Sequence, residues 1–233
     1  MILFVVAGVL AIVAKILDFE DLMIATKPMV VPAIFYYYLQ TKTRRINLMF
    51  CIALWLFFVS DMIMVLFPFT GMRWIMITSM ASYIIMIGFA LTDRASIKFS
   101  PFNIVFITLL LLLLGYFTFT ILSLNIESIV SNYGMYLVYG IVLTTLAAVS
   151  AANYLSDNST VFLHLSCMAL CMVVSDLFFC IYRFMIKLPV IDYINLFSQF
   201  MSYFFMVKYF NTRKKVRKRE VSAIKETGHS GGL

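Results

Sequence analysis

Residues 161–184 read VFLHLSCMALCMVVSDLFFCIYRF, an apolar run that is long enough to cross a membrane as a single helix. About two-thirds of the way along, the run carries a carboxylate, Asp176, and seven residues later a cation, Arg183. Seven residues are about two helical turns, so both side chains leave the helix on nearly the same side. A charged side chain within such a span usually faces protein or water rather than lipid. The run therefore predicts a transmembrane helix with a polar site on one face.

The composition of the whole chain has the same character as this run. Hydrophobic residues make up 63% of the 233 residues and charged residues 12%, and the mean hydropathy is +0.99. About a quarter of the residues of a soluble domain are charged, and they cover its surface. This chain has too few charged residues for such a surface, so an integral membrane protein is predicted. No soluble domain and no cleavable signal peptide are predicted.

Polar and turn-forming clusters divide the chain into apolar runs, which predict an all-α bundle of eight transmembrane helices. The predicted helices cover residues 2–17, 26–41, 46–67, 72–92, 102–124, 130–152, 161–184 and 190–210. Residues 1–210 thus form a single transmembrane domain, and residues 211–233 are predicted to be a basic, disordered tail.

The distribution of cations predicts the orientation of the chain in the membrane. The net charge is +7, and six of the eighteen Lys and Arg residues lie between Arg213 and Arg219, directly after the last apolar run. Further loop cations on the same side are Lys42, Arg44, Arg45, Arg94 and Lys98. By the positive-inside rule both termini are predicted to lie in the cytoplasm, in a protein of the cell membrane. The tail is expected to bind anionic lipid headgroups and not nucleic acid.

Few ionisable side chains lie within the apolar runs or at their ends, and four of them are the candidates for function. Asp61 in helix three and Asp176 in helix seven each lie about two-thirds of the way along, and each follows a serine. Lys27 opens helix two and Arg183 ends helix seven on the same side of the membrane. We expect the four side chains to form one polar group. The alternative is that an aspartate–arginine pair only stabilises the fold, while the cations at helix ends reach out to the membrane surface.

The prolines of helix two add a local indication. Pro28 suits the first turn of a helix, where its missing N–H has no effect, and Pro32 leaves the carbonyl of Pro28 without its usual donor. An unpaired carbonyl in a membrane lies beside protein or a wet cavity, so the start of helix two is expected to face the site.

The other cluster of reactive side chains is His164, Cys167 and Cys171, spaced three and four residues apart on one face of helix seven. Such a face could bind a metal ion, but three ligands on one helix with no carboxylate near them are more often packing residues. No metal site and no cofactor are predicted, since the sequence also has no phosphate-binding glycine loop and no metalloprotease motif. The four cysteines lie in apolar runs and are predicted to be free thiols.

Four short motifs occur in order on helices two, three, seven and eight. They are the Lys-Pro of TKPMVVP at Lys27, the Ser-Asp at Asp61, the Ser-Asp and Arg-Phe at Asp176 and Arg183, and Gln199 in NLFSQF. Together with the chain length and the eight predicted helices, these motifs resemble those of the YhhN-like integral membrane proteins, a family that includes the lysoplasmalogenases. The resemblance covers most of the chain. It departs in helix four, where Tyr83 lies at or near the place of a histidine that the family commonly carries.

The resemblance implies hydrolysis of the vinyl ether bond of a lysoplasmalogen, which yields a fatty aldehyde and a glycerophospho-headgroup. Two carboxylates suit this chemistry, because a protonated one can deliver a proton to the electron-rich carbon and an ionised one can stabilise the resulting cation. Asp61 and Asp176 are accordingly predicted to be catalytic. Asp176, with Arg183 near it, is the expected ionised carboxylate and Asp61 the expected acid, and the reverse division stays open.

The expected substrate is a lysophospholipid or another ether lipid. Its phosphate is expected to lie against Lys27 and Arg183, and Tyr83 and Gln199 are the other predicted substrate-binding residues. A second class of function fits the same features, namely a lipid-binding membrane protein without catalysis, or a small transporter with acids inside the membrane. The missing histidine of helix four also leaves open whether the chain is an enzyme.

Overall fold

The computed structural model describes residues 1–17, 19–41, 46–67, 70–93, 100–124 and 132–229. Within these ranges the chain is all-helical and forms eight helices. They are α1 (Ile2–Ile16), α2 (Glu20–Thr41), α3 (Leu48–Leu66), α4 (Met72–Thr92), α5 (Pro101–Ser123), α6 (Tyr133–Ser156), α7 (Thr160–Phe184) and α8 (Pro189–His229). The predicted all-α class is confirmed.

Among the described residues six helices, α2 to α7, are long and apolar enough to cross a membrane. Helix α1 is apolar but has only 15 residues. The first half of α8 carries Asp192, Asn195 and Gln199, polar side chains that lower its hydropathy relative to the other helices. The structure therefore supports a multi-pass membrane protein with six helices of spanning length and hydropathy, whereas the sequence predicts eight spans.

Two helix boundaries differ from the prediction. Helix α2 begins at Glu20 rather than at residue 26, so Pro28 lies inside the helix and not in its first turn. Asp21 favours this earlier start, because a negative charge near the N-terminus of a helix interacts well with the helix dipole. Helix α8 continues to His229, whereas the sequence predicts a disordered tail from residue 211. That segment is rich in Lys, Arg and Glu, which are good helix formers.

The orientation predicted for the chain depends on cations in two loops. These are Lys42, Arg44, Arg45, Arg94 and Lys98, and all of them lie outside the described residues. The placement of both termini in the cytoplasm is therefore a proposal.

Seven of the described helices form a closed ring. Helices α1, α2, α3 and α4 each pack against the next, α4 packs against α6, α6 against α7, and α7 against α8, which returns to α1 and α2. Helix α5 lies outside the ring and packs against α6. The first half of α2 meets the end of α3, where the Lys27 ammonium lies 3.1 Å from the Met64 sulfur, so α2 and α3 run in opposite directions.

The end of the ring where α2 finishes and α3 begins is closed by side-chain packing. The Phe50 and Phe210 rings lie 4.1 Å apart between centroids. Asp93, directly after α4, forms an ion pair with Arg213 of α8 and accepts a hydrogen bond of 2.7 Å from the Tyr209 hydroxyl. The opposite end of the ring holds the polar side chains that the sequence singles out.

Candidate functional site

Asp61 lies on α3 and faces α8 inside the ring, with only 1% of its surface exposed. The side-chain amide of Gln199 donates to its Oδ1 at 2.8 Å, and the Tyr203 hydroxyl donates to its Oδ2 at 3.0 Å. Gln199 and Tyr203 are four residues apart and therefore share one face of α8. Both oxygens of the carboxylate are thus held by neutral donors from a single neighbouring helix.

Asp176 lies on α7 and accepts two hydrogen bonds at one oxygen. The hydroxyls of Tyr83 on α4 and Tyr139 on α6 each donate to Oδ2 at 2.7 Å, and the two hydroxyl oxygens are 3.4 Å apart. The sequence places Arg183 beside this carboxylate. The structure instead brings two tyrosines to it, while Arg183, two turns further along α7, lines a different cavity.

The serine before each aspartate joins its helix to a neighbouring one. The Ser60 hydroxyl lies 2.9 Å from the Ser79 hydroxyl on α4, and the Ser175 hydroxyl donates to the side-chain oxygen of Asn195 on α8 at 2.8 Å. All four residues are buried. These bonds hold α3 and α7 in a fixed rotation, so that the aspartate at the next position points into the ring.

Asp61 and Asp176 line the same cavity, which has a volume of about 80 Å³. Tyr83, Tyr139 and Tyr203 also form its wall, and we call it the acid cavity. Its volume is sufficient for a few water molecules. Two carboxylates and several tyrosine hydroxyls around a space of this size, within an apolar bundle, make an arrangement that is suited to proton transfer.

A second cavity, of about 160 Å³, adjoins the acid cavity and is lined by the cations Lys15, Lys27 and Arg183 together with Asp192. The Lys15 ammonium forms an ion pair with the Asp192 carboxylate at 2.7 Å. Three cations and one acid among the described lining residues leave an excess of positive charge. This space, which we call the cation cavity, therefore suits an anionic group such as a phosphate.

Lys27 lines the cation cavity and contacts a residue that also lines the acid cavity. Its side chain is buried, and its ammonium donates to the sulfur of Met64, a residue that lines both cavities. Asp61 and Asp192 are the acids that attract it. An ammonium can donate three hydrogen bonds and a thioether is a weak acceptor, so Lys27 retains capacity to bind an anion.

All residues that the sequence predicts for the site lie around these two cavities. Asp61, Asp176, Tyr83 and Gln199 line the acid cavity, and Lys27 and Arg183 line the cation cavity. The expectation that the two aspartates face one common space is met by this geometry. The expectation that all four charged side chains form a single group is replaced by two adjoining spaces.

Four further residues complete the cavities and were missed from the sequence: Tyr139, Tyr203, Lys15 and Asp192. Tyr203 and Asp192 could have been found, because they lie four and seven residues from Gln199 and therefore on its face of α8. Lys15 ends a helix, and no local pattern shows its partner on a distant helix. Tyr139 is one of several tyrosines in an apolar helix and has no distinguishing neighbour in the sequence.

The described residues contain no group of three or more His, Cys, Asp or Glu side chains arranged to hold a metal ion. The ring of His164 lies 6.4 Å from that of Phe205. Cys167 and Cys171, on the same helix, are free thiols. In this part of α7 the three residues contribute to the packing of the bundle.

No family model matches the chain, and no characterised protein or solved structure matches it significantly. The resemblance to the YhhN-like proteins therefore stays a prediction from the four quoted motifs.

Proposed function

We propose that this protein is a membrane hydrolase that cleaves the vinyl ether bond of lysoplasmalogen-type lipids by acid catalysis. The observation that carries the proposal is the pair of carboxylates, Asp61 and Asp176, on the wall of one small cavity that adjoins a cation-lined cavity. The motifs that resemble those of the YhhN-like proteins support the same function.

The reaction needs a proton donor, a proton acceptor and one water molecule. A protonated carboxyl group adds its proton to the outer carbon of the double bond, which leaves an oxocarbenium ion at the carbon next to the ether oxygen. Water adds to that carbon and returns a proton to the carboxylate that the first step left ionised, so a hemiacetal forms. The hemiacetal splits into a fatty aldehyde and the free hydroxyl of the glycerol. One water molecule is consumed, and the enzyme ends in its starting protonation state.

The surroundings of the two carboxylates favour Asp176 as the proton donor and Asp61 as the ionised partner. Lys27 is close enough to attract Asp61, and an ionised carboxylate there can stabilise the oxocarbenium ion. The donors at Asp176 are the neutral hydroxyls of Tyr83 and Tyr139, which both bond Oδ2 and so leave Oδ1 to hold the proton. This division is the reverse of the one favoured from the sequence.

The cation cavity is proposed to hold the phosphate of the substrate. In a lysoplasmalogen the ether oxygen and the phosphate are both carried by glycerol, only a few bonds apart, so the phosphate site has to adjoin the acid cavity. Lys27 and Arg183 supply the cations on its wall. Tyr83 and Gln199 line the acid cavity and hold the carboxylates, and they are proposed to contact the glycerol as well.

We also propose that all eight helices cross the cell membrane and that both termini lie in the cytoplasm. Helix α1 and the first half of α8 belong to the same ring as the long apolar helices. This packing supports their lying at the same depth in the membrane as those helices. The polar side chains of α8 bond to partners inside the ring, as Asn195 does to Ser175 and Gln199 to Asp61, so they need not face lipid. The basic segment after residue 211 is proposed to bind anionic headgroups at the cytoplasmic surface.

The proposed activity is tested by aldehyde release from a defined lysoplasmalogen, with the purified protein in lipid nanodiscs. We expect aldehyde and glycerophospho-headgroup in equal amounts, and no product from the saturated ether of the same chain length, which lacks the double bond that accepts the proton. Protein that binds the lipid and releases no aldehyde would contradict the proposal and favour a lipid-binding protein without catalysis. Lipid movement driven by a proton gradient in proteoliposomes would instead favour a transporter.

A further inference from the structure

A third cavity lies between α5, α6 and α7 and adjoins the acid cavity. Its volume is about 50 Å³, and its mainly apolar wall includes Leu114, Thr118, Leu122, Gly140, Leu143 and Leu177. We call this space the α5 cleft. The residues that line both the α5 cleft and the acid cavity are Tyr136, Tyr139, Asp176 and Cys180. Asp176 therefore lies on the border between a polar and an apolar space.

The α5 cleft completes a row of three spaces. The acid cavity is in the middle, since it shares wall residues with the cation cavity on one side and with the α5 cleft on the other. We propose that the α5 cleft receives the hydrocarbon chain of the lipid, with the first carbons of the chain beside Asp176. This inference rests on the proposed function, because it assigns the chain of the same substrate.

The order of the three spaces matches the order of groups in the lipid. Phosphate, ether-linked glycerol and hydrocarbon chain follow one another in the substrate, as cations, carboxylates and apolar wall do in the protein. The carbon that accepts the proton is the outer one of the double bond, on the chain side of the ether oxygen. Asp176 is on the chain side of the acid cavity, which agrees with its role as proton donor. The apolar wall of the cleft then suits the hydrocarbon chain, whose surface it keeps out of water.

The α5 cleft has to widen to hold more than the start of a chain, and its outer helix is suited to move. Helix α5 is the least buried of the six apolar helices, and of its residues, all of which are described, only Leu114 is buried. Little packing therefore opposes an outward shift of α5. Helix α5 contacts α6 at Gly140 of α6, where an added Cβ would lie 2.6 Å from Cγ2 of Thr118 on α5. This contact limits the width of the cleft.

A larger apolar groove lies elsewhere, between α2 and α3. Its volume is about 400 Å³, and its wall includes Pro32, Cys51 and Trp55. Among the described residues, however, none lines both this groove and the acid cavity. A chain in the larger groove would leave its double bond away from the carboxylates. Continuity with the acid cavity, rather than volume, therefore selects the α5 cleft.

The proposal is tested with a photoreactive lysophospholipid that carries a saturated ether and a diazirine in the middle of its chain. The saturated ether is not hydrolysed, so labelling does not depend on turnover. After irradiation in nanodiscs, mass spectrometry of the full-length protein should place the label on peptides of α5, α6 and α7. Label confined to α2 and α3 would overturn the chain site.

Two matched variants narrow the two apolar spaces. Thr118→Phe should reduce labelling of α5–α7 about tenfold, the effect expected when two or three methylene groups lose their site, whereas Cys51→Phe in the other groove should leave it unchanged. Thr118→Ala has a smaller side chain and therefore widens the α5 cleft. It replaces Thr118→Phe as the test if the larger side chain prevents folding, and it should increase labelling by lipids with longer chains. Equal labelling in all variants and wild type would contradict the proposal.

The proposed chain site and the proposed hydrolysis can be contradicted independently of each other. Aldehyde release from a lysoplasmalogen combined with label on α2 and α3 would keep the hydrolase and overturn the α5 cleft. Label on α5–α7 without aldehyde release would keep the chain site and overturn the hydrolase.

Discussion

Each aspartate of the acid cavity is held by neutral donors from other helices. Asp61 accepts bonds from an amide and a hydroxyl of α8, and Asp176 accepts bonds from one hydroxyl each of α4 and α6. A hydrogen bond contributes about 1 kcal/mol to folding, or about 2 kcal/mol where the acceptor is charged, which is a small part of the stability of a domain. Removal of one acid proton, in contrast, would stop the proposed reaction. Conservative substitutions can therefore separate a catalytic role from a structural one.

Asp176→Asn keeps the size of the side chain and an oxygen that can accept from Tyr83 and Tyr139. We expect the variant to fold and to lose at least about a hundredfold in aldehyde release per folded molecule, the scale for one general acid. Aldehyde release and thermal unfolding are measured on the same preparation. Unchanged activity per folded molecule together with lower stability would show a structural role. Rescue of that stability by Arg183→Gln would then identify Asp176 as the counter-charge of Arg183.

Tyr83→Phe and Tyr139→Phe each remove one of the two hydroxyls that bond the same oxygen of Asp176. Each single variant is expected to lower the free energy of unfolding by about 1 kcal/mol, because the remaining hydroxyl still satisfies the carboxylate. The double variant should lose more than the sum, since Oδ2 is then left without either donor. Denaturant unfolding in detergent measures the three values. Simple additivity would mean that the two hydroxyls act independently.

Lys27→Ala and Arg183→Ala test the cation cavity as the phosphate site. Both are expected to raise KM for a lysoplasmalogen more than they lower kcat, because a phosphate contact is present before and during the reaction. Steady-state aldehyde release gives the two constants. A vinyl ether without a headgroup is the control, and its cleavage should be little changed. An equal loss with this control would place the two cations in the chemistry or in the fold.

At the scale of the element, α8 connects the two ends of the ring. Its first half bonds α3 and α7 through Gln199 and Asn195, and α1 through Asp192. Further along, the Tyr209 hydroxyl bonds Asp93 at the end of α4. The same helix thus positions the site at one end and holds the ring together at the other.

Asp93→Ala removes the ion-pair partner of Arg213 and the acceptor of the Tyr209 hydroxyl. Bonds to a charged group are stronger than neutral ones, so we expect a loss of about 2 kcal/mol in the free energy of unfolding. Asp157→Ala is the matched control, because Asp157 is exposed after α6 at the same end of the bundle. It should unfold like wild type. A similar loss in both variants would mean that the Asp93 contacts add nothing specific.

At the scale of the whole molecule, the ring of seven helices encloses the acid cavity and α5 packs on its outside. In an eight-span arrangement with cytoplasmic termini, the α6–α7 connection at Asp157 is cytoplasmic. The α7–α8 connection at Leu188 then lies on the other side of the membrane.

This orientation predicts the labelling of introduced thiols. In a background without native cysteines, a membrane-impermeant thiol reagent added to intact cells should label Leu188→Cys and leave Asp157→Cys unlabelled. Both positions are exposed, so access to water at the two sites is comparable. Permeabilised cells, in which both should react, provide the control. Labelling of both variants in intact cells would exclude the eight-span arrangement.

The sequence by itself determined the helical membrane class of the protein and singled out two acids that line one cavity. Hydropathy and helical spacing are local properties, so they identify membrane helices, and they mark Asp61 and Asp176 as acids that lipid would not tolerate. The sequence predicts a later start for α2 and a disordered segment after residue 210. The structure has α2 beginning at Glu20 and α8 continuing to His229, because an acidic residue suits the first turn of a helix and Lys, Arg and Glu are good helix formers.

Only the tertiary structure decided which groups meet each acid. Arg183 shares a helix with Asp176, yet the hydroxyls of Tyr83 and Tyr139 from two other helices reach the carboxylate. Lys27 from α2 lies near Asp61 of α3. The reason is that neighbours in a bundle are set by how helix faces pack around the ring, which brings together residues far apart in the chain. No pattern within one helix contains that information.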